Sequence, residues 1–375
     1  MGIGLCVLRG RYVVALLSVA LLASIWAYIF NFAVQTSQPF VWAAGGEYVG
    51  IGLLGLFFLA GENGGFDKLI RWYFWISFGY ACIYLLSSYA LSWGMLQIDV
   101  EARILVSADD VGRGDRLFLA SAPIIFGLAY CLTHFSKKNM ALYAVPLMVF
   151  VATLIVSNSR TVTALTLLFA VAYFLVRNIR LIAWGGFAGY AIGVLLSIMI
   201  MFRPELNPFR QFDESSAYVR VMALEYVRSV IDHYWITGAG ISFGEAAYSP
   251  LTGNRYFYPS DIGMVGILYI YGIAGLLFYI LLSLTGCFSY HPLRKLGYRP
   301  LVGEVMSLTG VILATYSLQA PLYNGQSGDL LAALYGAIAL RAYRVDFGIA
   351  GGARMNPSLP RGPASAAPLA GGVRG

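Results

Sequence analysis

The sequence predicts an all-α integral membrane protein of about ten transmembrane helices, with both termini in the cytoplasm and one long periplasmic loop. Three observations lead there. The 375 residues are 59% hydrophobic and only 11% charged, with a mean hydropathy of +0.72, whereas soluble domains carry about 25% charged residues. The apolar residues fall in long uninterrupted runs, as a bilayer-spanning helix of about 20 residues requires. The lysines all lie in alternate connections between those runs. A chain so poor in charge cannot present an ordinary aqueous surface, so lipid is the solvent for most of it.

The runs, in order, are 12–33, 41–60, 69–92, 117–135, 140–157, 161–176, 181–202, 262–287, 301–318 and 328–342. The first follows Arg9 and Arg11 and has no small-residue cleavage site behind it, so it reads as a retained helix. Orientation follows from the Lys/Arg bias. One set of loops holds Arg9/Arg11, Lys68/Arg71, Lys137/Lys138, Arg177/Arg180, Arg294/Lys295/Arg299 and Arg341/Arg344. The other set has arginines but no lysine, so the first set is cytoplasmic. Residues 1–346 form the polytopic domain. The segment 347–375, rich in Gly, Pro, Ala and Arg without periodicity, reads as a disordered cytoplasmic tail.

The net charge of +7 is spread through short loops and is topogenic. Cys6, Cys82, Cys131 and Cys287 lie in or beside apolar runs with no CxxC pair, and His134, His233 and His291 have no metal-ligand spacing. There is no GxxxxGK[ST] motif, and the cytoplasmic loops are too short for a nucleotide-binding domain. No cofactor is expected. Chemistry belongs at the membrane or outside it, where a pre-activated, lipid-linked substrate meets that constraint.

The outward loops hold the candidates. Arg103, Arg113 and Arg116 lie among Asp109, Asp110 and Asp115, which pair with them on the simplest reading. Arg160, in the turn Ser157-Asn-Ser-Arg160-Thr, sits at or near membrane depth, where a guanidinium is costly without a partner; it is either a phosphate ligand or a snorkelling anchor. The loop 203–260 is too long for a connector. Within it a helix starts near Ala217, capped by Ser215 or Ser216, and Val219, Met222, Tyr226 and Val230 recur at helical spacing, with Leu224, Val227 and Ile231 beside them. It reads as an amphipathic helix on the outer interface, bearing Arg220, Glu225 and an i,i+4 pair, Arg228 and Asp232, and ended by the Gly238-Ala-Gly240 stretch. Arginine used without lysine favours the planar fork that grips phosphate and carboxylate.

After Arg255 comes Tyr256-Phe-Tyr258-Pro-Ser260-Asp261, at the mouth of a span with glycines at 263, 266, 272 and 275. Those glycines read as close helix packing. Asp261 is either a general base or a helix N-cap. Trp235, Tyr256, Phe257, Tyr258, Tyr269 and Tyr271 are sugar-stacking candidates or an interfacial aromatic belt. His233 reads as a surface residue. Glu47 and Glu304 are the in-span acids.

The order of these parts, from the Ser-Arg turn to a loop Arg on a helix, Trp then Gly-x-Gly, and a polar pair entering Tyr271-Gly-Ile-Ala-Gly275, resembles the O-antigen polymerase and O-antigen ligase superfamily over roughly residues 150–290. Ligases of that family carry His-Asn where this chain has Ser260-Asp261, so the resemblance is to the exopolysaccharide polymerase branch. It implies a GT-C-like fold in the bacterial inner membrane and undecaprenyl-pyrophosphate oligosaccharides as substrates. It also implies possible company of a flippase and a chain-length regulator. Arg160 and Arg220 then correspond to the two arginines that engage the pyrophosphate, with Asp261 as base and Glu225 or Glu245 in reserve. Arg228, Arg255, Trp235, Tyr256, Tyr258 and Glu225 would line the substrate path. A ligase, a transporter or flippase of the lipid-linked oligosaccharide and a non-catalytic assembly protein are the competing readings.

Overall fold

The computed structural model describes residues 2–37, 53–95, 106–107, 116–117, 119–135, 139–157, 159–207, 210, 215–242, 248–254, 257–318 and 328–343. Two compact units divide the chain, Met1–Arg344 and Val345–Gly375; the second lies outside the described residues, and so does the tail expected there.

Among the described residues, the first unit is helical apart from turns and one short antiparallel ladder, β1 (Val106–Ser107) with β2 (Arg116–Leu117). Its helices are α1 (Gly2–Leu8), α2 (Tyr12–Thr36), α3 (Leu54–Ala60), α4 (Phe66–Ser92), α5 (Ser121–His134), α6 (Met140–Val156) and α7 (Arg160–Val176). Then come α8 (Ile179–Phe202), α9 (Ser215–Tyr234), α10 (Ser249–Thr252), α11 (Gly263–Cys287), α12 (Tyr290–Lys295), α13 (Pro300–Tyr316) and α14 (Gly328–Ala342). Four stretches are long and apolar enough to cross a membrane: Tyr12–Thr36, Phe66–Ser92, Ile179–Phe202 and Pro259–Cys287. Shorter apolar helices pack among them. Leu16, Leu86, Leu168, Leu175, Trp184 and Leu195 are exposed on these helices. Large apolar side chains turned outward on several helices mark a membrane protein, since water would not tolerate so much of this surface.

The core forms around α13. It packs against α5, α7, α8, α11 and α12, and from Val302 to Ala314 nearly every residue is buried. Small residues make this possible: a Cβ on Gly310 would come within 2.2 Å of the Gly286 backbone, so α11 and α13 cross almost backbone to backbone.

The two ends of the bundle differ. The Phe66 backbone N–H donates to the Tyr298 hydroxyl at 3.3 Å, and Glu62 pairs with Arg9, Arg11 and Arg341. The starts of α2, α4 and α13 and the end of α14 therefore share one end. Tyr316, at the far end of α13, is about 24 Å away at 1.5 Å per residue.

The predicted span over 262–287 is not one straight helix. At Gly272 (φ 65°, ψ −167°) α11 breaks. The segment after α9 crosses the break: Ala239 N–H donates to the Tyr269 carbonyl at 2.7 Å, Gly240 N–H to Ile270 at 3.0 Å, and Ile273 N–H to Trp235 at 2.8 Å. The Tyr28 hydroxyl of α2 donates to the Tyr271 carbonyl at 2.8 Å. A broken helix in an apolar setting leaves backbone groups that must find partners, and here the loop and α2 supply them. Gly272 thus serves a break rather than the helix packing expected of it.

Candidate functional site

The loop helix α9 packs on α11 and on the 3₁₀ turn Pro259–Ile262 that precedes it. Its inward stripe is Ala217, Ala223 and Val227, flanked by Leu224, Val230, Ile231 and Tyr234, in a cluster with Ile29 and Phe32 of α2. Of the expected stripe, Tyr226 and Val230 pack against this cluster together with Leu224, Val227 and Ile231, while Met222 is exposed.

Position 220 falls on that inward stripe, one turn from Ala217 and Ala223. Arg220 is therefore turned toward the bundle, and its Nε is shut off from solvent. Its charge acts on Asp261, in the Pro259–Ile262 turn, and on Tyr316, the last residue of α13. Tyr316 in turn interacts with the Ser121 hydroxyl at the first residue of α5. Four groups from four distant parts of the chain thus converge. Asp261 and Tyr316 are both half-buried. Helix α11 starts two residues beyond Asp261, with Ile262 at its cap position, so the expected N-cap role is not the one that places this carboxylate.

Arg160 is the exposed first residue of α7. Near the other end of α7 the Tyr173 hydroxyl donates to the Glu304 carboxylate near the start of α13, so Arg160 stands at the same end of the bundle as Tyr316. Glu225 is elsewhere: five residues from Arg220, it is turned about 140° around the helix and binds Arg210 at 2.6 Å, with both side chains about half exposed. Arg228 and Asp232 are both exposed, and among the described residues no ion pair joins them, a correction to the pair expected from their spacing. Trp235 and Tyr258 are exposed at 49% and 42%, available as stacking surfaces. Arg255, Tyr256 and Glu245 lie outside the described residues, as do Arg103 and Arg113. Tyr269 and Phe257 are buried in a ring cluster with Tyr226, Tyr234 and Tyr248, so both are core and not sugar platforms. Burial raises the hydroxyl pKa of Tyr226 in that cluster above its ordinary value.

Tyr316 and Ser121 escaped the sequence reading. Hydroxyls are common in apolar helices and carry no motif; only the packing of α5 on α13 brings these two beside Asp261. No group of three or more His, Cys, Asp or Glu able to hold a metal occurs among the described residues. No family model matches this chain, and no curated protein or solved structure matches it.

Proposed function

We propose that this chain is an integral-membrane glycosyltransferase that joins undecaprenyl-pyrophosphate-linked repeat units of an exopolysaccharide or O-antigen at the periplasmic face of the bacterial inner membrane. The full reading is a ten-span, GT-C-like protein with both termini in the cytoplasm. The observation that carries it is Arg220 on the inward stripe of α9, facing Asp261 and Tyr316 at the bundle end opposite the lysine-bearing loops.

The chemistry asked of such a site is simple. A hydroxyl of the acceptor sugar forms a bond to the anomeric carbon of the donor as the bond from that carbon to the pyrophosphate oxygen breaks. Negative charge grows on the leaving oxygen. Arg220 is placed to meet it, with Arg160 at the same end, and a fixed guanidinium beside a developing oxyanion is worth about 2.7–4 kcal/mol. Asp261 accepts the acceptor's proton. Tyr316 and Ser121 offer hydroxyls to orient the sugar.

The break in α11 at Gly272 favours a second reading, a carrier of the lipid-linked oligosaccharide, because discontinuous helices build transporter sites. Against it, the backbone groups freed by the break are engaged by Ala239, Gly240, Trp235 and Tyr28 and so are not held open for cargo. The ligase alternative is disfavoured by Ser260-Asp261 in place of a His-Asn pair.

The test is complementation of a deletion strain with Arg220→Ala and with Asp261→Asn. Both should accumulate at normal levels in the membrane yet yield no polymer. Wild-type polymer length from both variants would refute the assignment.

A further inference from the structure

At the opposite end of the bundle three guanidinium groups converge on one carboxylate. Arg11 binds Glu62 Oε1 through both Nε and Nη2 at 2.9 Å. Arg9 stands 3.7 Å from Oε2 and Arg341 3.5 Å from Oε1. These residues come from the α1–α2 turn, from the turn after α3 and from the end of α14, so the fold assembles them. Only Arg11 is close enough for full hydrogen bonds; Arg9 and Arg341 contribute charge, the Arg341 guanidinium lying over the Phe58 ring at 5.0 Å and the Arg9 fork open to the surface. One carboxylate cannot balance three cations. Arg9, at 60% exposure, and Arg11, at 50%, open this excess to the surface, while Arg341 and Glu62 are mostly covered.

Directly beside the cluster an apolar stripe begins. Tyr12, Leu16, Val19, Trp26 and Phe30 are all exposed on α2. Their spacing of three, four and seven residues keeps them on one face, which runs about 27 Å up from Arg11 at 1.5 Å per residue. A cationic fork above a long apolar wall is complementary to a molecule with an anionic phosphate head and acyl tails.

We infer that Arg9, Arg11 and Arg341, held around Glu62, form a binding site for the phosphate of an anionic phospholipid in the leaflet at the lysine-bearing end, with its acyl chains along the exposed stripe of α2. Planar guanidinium forks suit a phosphate diester, and Glu62 keeps the three cations together when no lipid is bound. This inference is independent of the enzymatic reading. The source of the phosphate is a lipid because the stripe offers tails a surface that a free ion would not use.

The test uses the full chain purified in neutral detergent. Its thermal unfolding midpoint is followed against added phosphatidylglycerol, phosphatidylcholine and inorganic phosphate. Phosphatidylglycerol should raise the midpoint in a saturable way, and the other two should not. A basic residue near an anionic surface is worth about fivefold in affinity, so the double variant Arg9→Gln/Arg341→Gln should bind phosphatidylglycerol about 25-fold more weakly. The remaining Arg11–Glu62 pair keeps the turn closed. Should that variant not fold, Arg9→Gln alone, at the most exposed of the three positions, should lose about fivefold. Equal stabilisation by phosphatidylcholine, reproduction of the shift by phosphate alone, or unchanged affinity in the variants would each overturn the site.

Discussion

Replacing Gly272 by alanine is the sharpest perturbation of the framework that holds the site. Its backbone angles (φ 65°, ψ −167°) lie in a region that residues with a Cβ hardly ever occupy, at a cost of about 1–3 kcal/mol. An added Cβ would lie 2.1 Å from the Ile236 carbonyl oxygen and 3.0 Å from the Gly238 nitrogen. Both are backbone atoms with no rotamer to escape into, so the crossing segment must lift. Lifting it breaks at least one of the three bonds Ala239–Tyr269, Gly240–Ile270 and Ile273–Trp235. Each buried polar group left unpaired costs about 1–3 kcal/mol. Together the loss is about 2–6 kcal/mol, read as a lowered midpoint in detergent unfolding of the purified protein. Gly189→Ala is the internal comparison: it lies within α8, and a Cβ there meets nothing within 4 Å, so it should be neutral or stabilise by about 0.5–1 kcal/mol. A Gly272→Ala protein as stable as wild type would refute the crossing as described.

Three further outcomes follow from the geometry. Tyr316→Phe keeps the ring and removes the hydroxyl beside Asp261 and Ser121, so polymer-forming activity should fall about fivefold, about 1 kcal/mol, with unfolding unchanged; the chain-length distribution in a complemented deletion strain measures it. Glu225→Gln breaks only the half-exposed pair with Arg210 and should change stability by less than about 1 kcal/mol and leave activity intact, which the same two measurements check. Burial, reinforced by Glu62, raises the Cys6 pKa above its ordinary 9.0, so the folded state holds this thiol's proton to higher pH than the unfolded chain does. The stabilisation is present below the ordinary thiol range and is lost as pH rises through it, and maleimide should label Cys6 at pH 8 only on unfolding.

Much of the helical framework was legible in the sequence because a membrane helix is announced by its apolar length. The runs 69–92, 140–157, 181–202 and 328–342 meet the observed helices to within about three residues at either end. The seven-residue α1 is too short to give such a signal, and its role depends on Cys6 and Gly2 packing on Gly55. The break in α11 was hidden for a different reason. Glycine occurs in transmembrane helices both as a packing surface and as a break, and only the partner strand of backbone at 236–240 distinguishes the two. On α9, counting apolar residues finds Leu224, Tyr226, Val227, Val230 and Ile231 but skips Arg220, although 217, 220, 223, 224 and 227 form one face. A charged residue on a buried stripe lowers the apparent periodicity where a site is being built. The convergence of Ser121, Arg220, Asp261 and Tyr316 has no local trace at all, because it depends on α5, α9, α11 and α13 ending together.

The central proposal is that the groups around Arg220 and Asp261 join lipid-linked repeat units outside the cytoplasmic membrane. The most direct measurement is deletion of the gene followed by analysis of the lipid-linked and surface glycans. The account predicts that single repeat units persist on their carrier at the outer face while long polymer vanishes. Long polymer still built on the carrier, or repeat units trapped at the cytoplasmic face, would contradict it, the first pointing to a ligase and the second to a flippase.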